Sequence, residues 1–300
     1  MSPKTVADQL VQQLVDAGVS RIYGIVGDSL NPIVDAVRRT GGSEKGGIDW
    51  IHVRHEEAAA FAAAADAQIT GKLAVCAGSC GPGNLHLING LYDAHRSGAP
   101  VLAIASHIPS AQIGMGYFQE THPERIFIEC SSYTELVSTP VQSPRVVQSA
   151  IQHSVARNGV SVIVLPGDIA DCPAEGTPPT LVETRRPTVV PDAGDVKALA
   201  DVINGSRKVA IFAGAGVRDA RAEVLALAET VGAPIGHSLR GKEWIQYDNP
   251  YDVGMTGLLG YGAAHDGIHG ADLLLLIGTD FPYDQFLPDD VRTAQIDIAA

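Results

Sequence analysis

Arg54-His55-Glu56-Glu57 runs straight into Ala58-Ala59-Ala60-Phe61-Ala62-Ala63-Ala64-Ala65. The apolar residues over 48–53 predict a strand before it, and the alanine run predicts a helix over 56–69. The junction therefore sets a carboxylate at the start of a helix with almost no polar cover. Two readings stand side by side. Glu56 and Glu57 favour a helix N-terminus, where the macrodipole welcomes anions. Alternatively, Glu56 is a working carboxylate that exchanges a proton with a buried partner.

Outward from this junction, helix and strand alternate. Val6, Leu10, Val11, Leu14 and Val15 share one face of a helix over 5–17, with Gly18 as its stop signal. Strands are predicted over 21–26, 73–77, 100–105 and 160–165, and helices over 84–95 and 145–157, with another containing Ile33, Val34 and Val37. Near-continuous Val/Ile/Leu strands separated by helices define a parallel sheet covered on both faces. Residues 171–192 hold five prolines and little periodicity, the composition of a linker. A second α/β run follows, with helices over 195–203 and 220–231 and strands over 208–213, 234–237, 273–277 and 293–298. The fold class is thus α/β, two doubly wound parallel-sheet domains. In such sheets ligands sit at the carboxyl ends of the strands, the edge to which Gly27 and Glu56 fall.

The 300 residues are 45% hydrophobic and 18% charged, an ordinary globular balance with length for two domains. A formal net charge of −13 leaves no basic stripe to replace counterions, which argues against nucleic-acid binding. Cys76, Cys80, Cys130 and Cys172 form no Cys-x-x-Cys pair and no zinc spacing, so buried thiols in a reducing cytoplasm are expected. No apolar run is long enough to span a bilayer.

Gly78-Ser79-Cys80-Gly81-Pro82-Gly83-Asn84 follows a strand and opens a helix. Such a loop is either a tight strand-to-helix turn or a ligand cradle built on free N–H groups. Ser79 lacks the first glycine of a nucleophile elbow, because Ala77 stands there. Cys80 needs a histidine base, for which His86 and His107 are the candidates. His52 and His55 point to opposite faces of a strand, which argues against shared metal coordination, and no metal ligand is assigned. Gly214-Ala215-Gly216 could cradle a dinucleotide, but Asp219 replaces the third glycine of the nicotinamide fingerprint.

Taken together, these segments resemble the thiamine-diphosphate-dependent decarboxylases and oxidases. Glu56 within Arg-His-Glu-Glu, the Gly78 to Asn84 loop and Tyr117-Phe118-Gln119-Glu120-Thr121-His122 occur in that family's order. Leu239-Arg240-Gly241-Lys242-Glu243, Tyr247-Asp248-Asn249-Pro250-Tyr251-Asp252-Val253-Gly254-Met255-Thr256-Gly257 and Gly278-Thr279-Asp280-Phe281-Pro282-Tyr283 are similar to the FAD-binding middle domain of pyruvate oxidases, above all the quinone-reducing pyruvate dehydrogenases. The resemblance implies a pyrimidine-binding domain over 1–170, a linker over 171–192 and a FAD-binding middle domain over 193–300. It implies pyruvate as substrate, acetate and carbon dioxide as products, and thiamine diphosphate, FAD and Mg2+ as cofactors, with a quinone as electron acceptor.

Residue by residue, the resemblance gives Glu56 the aminopyrimidine of the thiamine cofactor and sets His86 and Gln119 at its reacting end. Gly27, Asp28 and Ser29 belong beside the pyrimidine, and Pro82, Asn84 and Phe118 complete that set. Gly214, Gly216, Arg240, Thr256, Gly257, Leu258, Gly278, Thr279, Asp280 and Phe281 would hold FAD, with Asp297 on its ribose or adenine. The family's third domain, with its Gly-Asp-Gly and Asn-Asn motif for magnesium and diphosphate, has no counterpart in these residues, nor has the membrane-surface segment of the quinone reductases. The expectation is a homo-oligomer, dimer or tetramer, in the complete enzyme, cytoplasmic or peripheral at the inner membrane, and no turnover from this chain alone. Acetolactate synthase chemistry and a non-catalytic flavin-binding or assembly module are the alternative readings.

Overall fold

In the computed structural model, which describes residues 3–176, 188–260 and 262–298, the alternation resolves into two units, Met1–Pro187 and Thr188–Ala300. In the first unit, strands β1 (Arg21–Gly24), β2 (Asp49–His52), β3 (Ala74–Gly78), β4 (Val101–His107), β5 (Tyr133–Leu136) and β6 (Val160–Pro166) form one sheet. Its order is β2-β1-β3-β4-β6-β5, and every pairing is parallel. The helices are α1 (Val6–Asp16), α2 (Asn31–Arg39), α3 (Glu56–Thr70), α4 (Pro82–His86), α5 (Ile88–Arg96), α6 (Pro123–Ile126), α7 (Ser143–Arg157) and α8 (Gly167–Asp171).

Strand side chains alternate between two cores, as the period of two requires. Val75, Ala77, Leu102, Ile104, Ile163 and Leu165 pack with apolar residues of α1, α2 and α7. Ala74, Cys76, Val101, Ala103, Val162 and Val164 face the opposite way, toward α3 and α5. Here the alanine run explains itself. A Cβ added at Gly90 of α5 would lie 2.4 Å from the Ala60 Cβ of α3, so small residues let these two helices meet almost backbone to backbone. That close approach brings the start of α3 beside the end of α4, which immediately precedes α5. All four cysteines are free; burial pushes the Cys76 thiol up to about 12 and the Cys130 thiol to about 11.

The second unit holds β7 (Val209–Ala213), β8 (Ile235–His237), β9 (Asp252–Met255), β10 (Leu273–Ile277) and β11 (Arg292–Ile296), again all parallel, in the order β11-β10-β7-β8-β9. Its helices are α9 (Ala193–Asn204), α10 (Arg221–Val231), α11 (Lys242–Ile245) and α12 (Ala263–His269). One face carries a full core built on Ile211, Ala213, Ile235, Leu273, Leu275 and Ile277. Among the described residues the other buries a smaller cluster, Ala210, Phe212, Ile268 and Leu274.

Three expectations differ from what is found. The helix anticipated over 84–95 is two helices, because the Leu87 N–H bonds the Asn84 carbonyl three residues back and tightens the turn between α4 and α5. Strands β5 and β9 were not anticipated; both are half-buried edge strands without an apolar run to announce them. Within the segment 171–192, the Cys172 carbonyl accepts from Val6 N–H and the Ala174 N–H bonds the Lys4 carbonyl, tying these residues to the first unit. Residues 177–187 of that segment lie outside the described residues, and Asp192 caps α9. Among the described residues no helix is long and apolar enough to cross a membrane.

Candidate active site

The carboxyl edge of the first sheet gathers the predicted residues. Glu56 is the first residue of α3 and is buried, although its neighbours His55 and Arg54 are exposed. Its Oε2 lies 3.0 Å from Nδ1 of His86, the last residue of α4. Its Oε1 faces the glycine loop: a Cβ at Gly83 would stand 3.2 Å from that oxygen. A side chain there would crowd the carboxylate, and glycine leaves it room.

The loop itself is held by hydroxyls. After β1, Gly27, Asp28 and Ser29 turn so that the Ser29 Oγ accepts from the Cys80 N–H at 3.0 Å and lies 2.9 Å from the Ser79 Oγ. A Cβ at Gly27 would fall 2.5 Å from that same Ser79 oxygen. Ser106, near the end of β4, donates to the Ser29 carbonyl at 2.6 Å, while its own carbonyl accepts from Asn84 Nδ2 at 2.6 Å. Gly81 takes the left-handed φ of +69° that lets the loop turn into Pro82, the first residue of α4. Asn84 is fully buried, and its Oδ1 has no hydrogen-bond partner among the described residues.

Gln119 meets the loop from the segment that follows β4, at the same edge of the sheet. A Cβ at Gly81 would contact its Cβ at 3.1 Å. Glu120 organises the turn that carries it: its carboxylate accepts N–H groups from Gly114, Gly116 and Tyr117, and these bonds hold it below the usual carboxylate range. Phe118, on the same turn, is 82% exposed, and Asp28 and Pro82 are also exposed. His107, at the end of β4, is buried with Nδ1 unpartnered, and burial pushes its imidazole below the ordinary value. The hydrogen bond that the structure gives His86 runs to Glu56, not to Cys80.

Sequence reasoning missed Ser106 and the part played by His55. Ser106 reads as one polar residue inside an apolar strand. His55 was read beside His52 as a rejected metal pair and as the residue before a helix start, the position from which its Nδ1 accepts the Glu57 N–H.

The second unit presents a different edge. The N–H groups of Gly214 and Gly216 bond the carbonyls of Ile277 and Gly278, so these glycines serve close backbone packing rather than offering free donors. A Cβ at Gly216 would lie 2.6 Å from the Gly278 Cα, and Gly278 has a left-handed φ of +60°. Thr256 and Thr279 are buried, Gly257 takes φ +120° against the Phe281 ring, and Arg240, Leu258 and Asp280 are exposed. Asp297 follows β11 and is half-buried. All these residues follow the carboxyl ends of parallel strands, where a dinucleotide sits in folds of this class.

Two parallel α/β units, the first with a buried carboxylate and a glycine loop at its carboxyl edge, define a cofactor-dependent enzyme architecture. The comparisons give the class its name. Residues 4–126 match the thiamine pyrophosphate enzyme N-terminal TPP binding domain, and residues 196–300 match the thiamine pyrophosphate enzyme central domain. The chain belongs to the thiamine pyrophosphate enzyme family. It is 56% identical over 300 residues to an uncharacterized 42.6 kDa protein in isoamylase 3'region of Pseudomonas amyloderamosa, covering 99% of this chain and 74% of that one. It is 34% identical to pyruvate oxidase of Lactiplantibacillus plantarum over 89% of the chain and 44% of the relative. It is 31% identical to the acetolactate synthase isozyme 2 large subunit of Escherichia coli over 92% and 49% respectively. The chain thus spans about half the length of these two named enzymes.

Proposed function

We propose that this chain is the thiamine-activating and flavin-holding part of an enzyme that decarboxylates pyruvate oxidatively to acetate and carbon dioxide and passes the electrons to a quinone. The observation that carries the reading is the Glu56–His86 pair, a buried carboxylate and an imidazole 3.0 Å apart beside a closely approaching glycine loop. Bound thiamine diphosphate supplies a carbon nucleophile and an electron sink for the substrate's carboxyl carbon bond. The residues fit that group: Gly83 leaves Glu56 Oε1 approachable, and the buried Asn84 Oδ1 lacks a partner among the described residues. Glu56 would hold a proton at the aminopyrimidine nitrogen, with Gly27, Ser29, Pro82 and Gln119 around it and Asp28 and Phe118 at its open side. His86 donates through Nδ1 to the ionised Glu56 and is placed to take or give a proton at Nε2.

In the second unit, Arg240, Thr256, Gly257, Leu258, Thr279, Asp280, Phe281 and Asp297 would hold FAD, the guanidinium meeting its phosphates. Gly214, Gly216 and Gly278 let the strand ends pack closely enough to form that edge. Mg2+ belongs to the same proposal as the third cofactor. Domain bounds of 1–170 and 193–300 and a homo-oligomeric complete enzyme, cytoplasmic or at the inner membrane, belong to the same proposal.

The test is product analysis on the complete protein with thiamine diphosphate, Mg2+, FAD, pyruvate and a quinone. Acetate with stoichiometric quinone reduction supports the oxidase. The 31% identity to an acetolactate synthase favours one second reading, and acetolactate without quinone reduction would establish it. Flavin binding with neither product would leave a non-catalytic assembly module.

A further inference from the structure

His55 stacks on His86, and the proposed chemistry gives it no part. Its Nδ1 lies 3.2 Å from the Glu57 N–H and accepts from it as the N-cap of α3. A ring that accepts at Nδ1 carries its hydrogen at Nε2. The same ring lies 4.2 Å from the His86 ring, centroid to centroid, with 28° between the planes. Two five-membered rings that close and that nearly parallel must lie face to face, since edge-to-edge placement would overlap their atoms. His86 in turn meets Glu56 Oε2 at 3.0 Å through Nδ1, which is the donor when Glu56 is ionised.

His86 needs such support. Its side chain is 44% exposed, and it ends a helix of only 5 residues. A single hydrogen bond at one ring edge leaves the ring free to turn about that bond. We infer that His55 is a positioning residue: its face fixes the His86 ring so that Nδ1 meets Glu56 and Nε2 remains the proton-accepting atom. Helix capping and ring stacking are thereby joined in one residue, so folding of α3 sets the orientation of His86. The part His86 plays in proton transfer rests on the function proposed above; the stack and the tautomer do not.

A metal is the competing use of the same side chains, because one ligand atom from each of His55, Glu56 and His86 lies within 4.8 Å of the others. A shared ion needs both imidazole lone pairs, which lie in the ring planes, to converge on one point. Stacked rings turn their faces to one another instead. The arrangement favours the stack.

Two substitutions separate capping from stacking. His55→Asn keeps a strong N-cap and removes the ring, whereas His55→Phe keeps a ring and removes the cap. The readout is the His86 tautomer, measured by 15N NMR on histidine-labelled protein without cofactor, about two pH units above the ordinary imidazole value of about 6.5. His86→Gln assigns the resonance. Expected is a predominant Nδ1–H form at His86, retained in His55→Phe and reduced about 2- to 12-fold relative to Nε2–H in His55→Asn, the range that an aromatic pair supplies. An unchanged ratio in His55→Asn, or an equal fall in both variants, would overturn the role. The spectra need no thiamine, so refuting the stack and refuting the Glu56 chemistry are separate outcomes.

Discussion

The two units share a parallel-sheet plan but build their carboxyl edges with different materials. In the first, side chains do the joining: Ser29 to Ser79, Ser106 to the Ser29 carbonyl, Asn84 to the Ser106 carbonyl, His86 to Glu56. In the second, backbone does most of it: Gly214 to Ile277, Gly216 to Gly278, Ser238 to Ala213. The cores differ likewise, with two full faces in the first unit and one full and one thin face in the second. A side-chain edge can carry proton chemistry, because its groups titrate and can be aimed. A backbone edge offers close approach, which suits holding a large planar ligand.

The sharpest way to break this contrast is at Glu56. Glu56→Gln keeps the shape of the side chain but removes its capacity to take a proton. In the complete, thiamine-loaded enzyme we expect proton exchange at the cofactor's C2 to slow by about 10²- to 10⁴-fold, the usual weight of a positioned acid–base group. Exchange within a factor of two of the parent would end the assignment of proton chemistry to the first edge.

Next in size is the backbone edge. Gly278→Ala adds a Cβ 2.6 Å from the Gly216 backbone at a left-handed φ. The conformational cost is about 1–2 kcal/mol, and forced overpacking adds about 1–3 kcal/mol. Each unit holds one of the two tryptophans, Trp50 in the first and Trp244 in the second. With Trp50→Phe and Trp244→Phe backgrounds, thermal melts followed by fluorescence should show Gly278→Ala lowering the Trp244 transition and sparing that of Trp50. Equal shifts at both tryptophans would contradict independent edges. Gly90→Ala is the converse and smaller case: its Cβ would meet Ala60 at 2.4 Å. Overpacking of about 1–3 kcal/mol is offset by about 1 kcal/mol of helix propensity. The Trp50 transition should fall by a few degrees, and an unchanged or raised midpoint would show that α3 and α5 can part without cost.

This difference in materials also explains what could be read from the sequence. Buried strands 73–77 and 273–277 and the alanine helix declare themselves through apolar periodicity, so the doubly wound plan was legible. Glu56, His86 and the Gly78 to Asn84 loop were legible as residue types with a chemistry. Strands β5 and β9 were not, because an edge strand needs only half an apolar face. The Ser29–Ser106 connection was not, because a serine inside a strand says nothing about which carbonyl it will reach. The work of Gly214 and Gly216 was not either: glycine announces close approach, but whether to a ligand or to a neighbouring strand depends on tertiary placement.

The smallest expected effect concerns His107, a titrating group that the side-chain edge buries without a partner at Nδ1. Burial lowers its folded-state pKa, so between the folded and unfolded values the unfolded chain binds more protons. Unfolding free energy must then rise with pH across that window. The contribution is fully present above about pH 6.5, the unfolded imidazole value, and is lost as pH falls toward the folded one. Urea unfolding of the parent and of His107→Gln at several pH values should give a shallower pH slope for the variant below about pH 6.5. The other nine histidines are common to both proteins and cancel in the comparison. Identical slopes would mean that His107 reaches solvent or a partner when it takes its proton. The first edge would then be looser at the end of β4 than at Glu56, and the contrast between the two units would narrow to the Glu56–His86 pair alone.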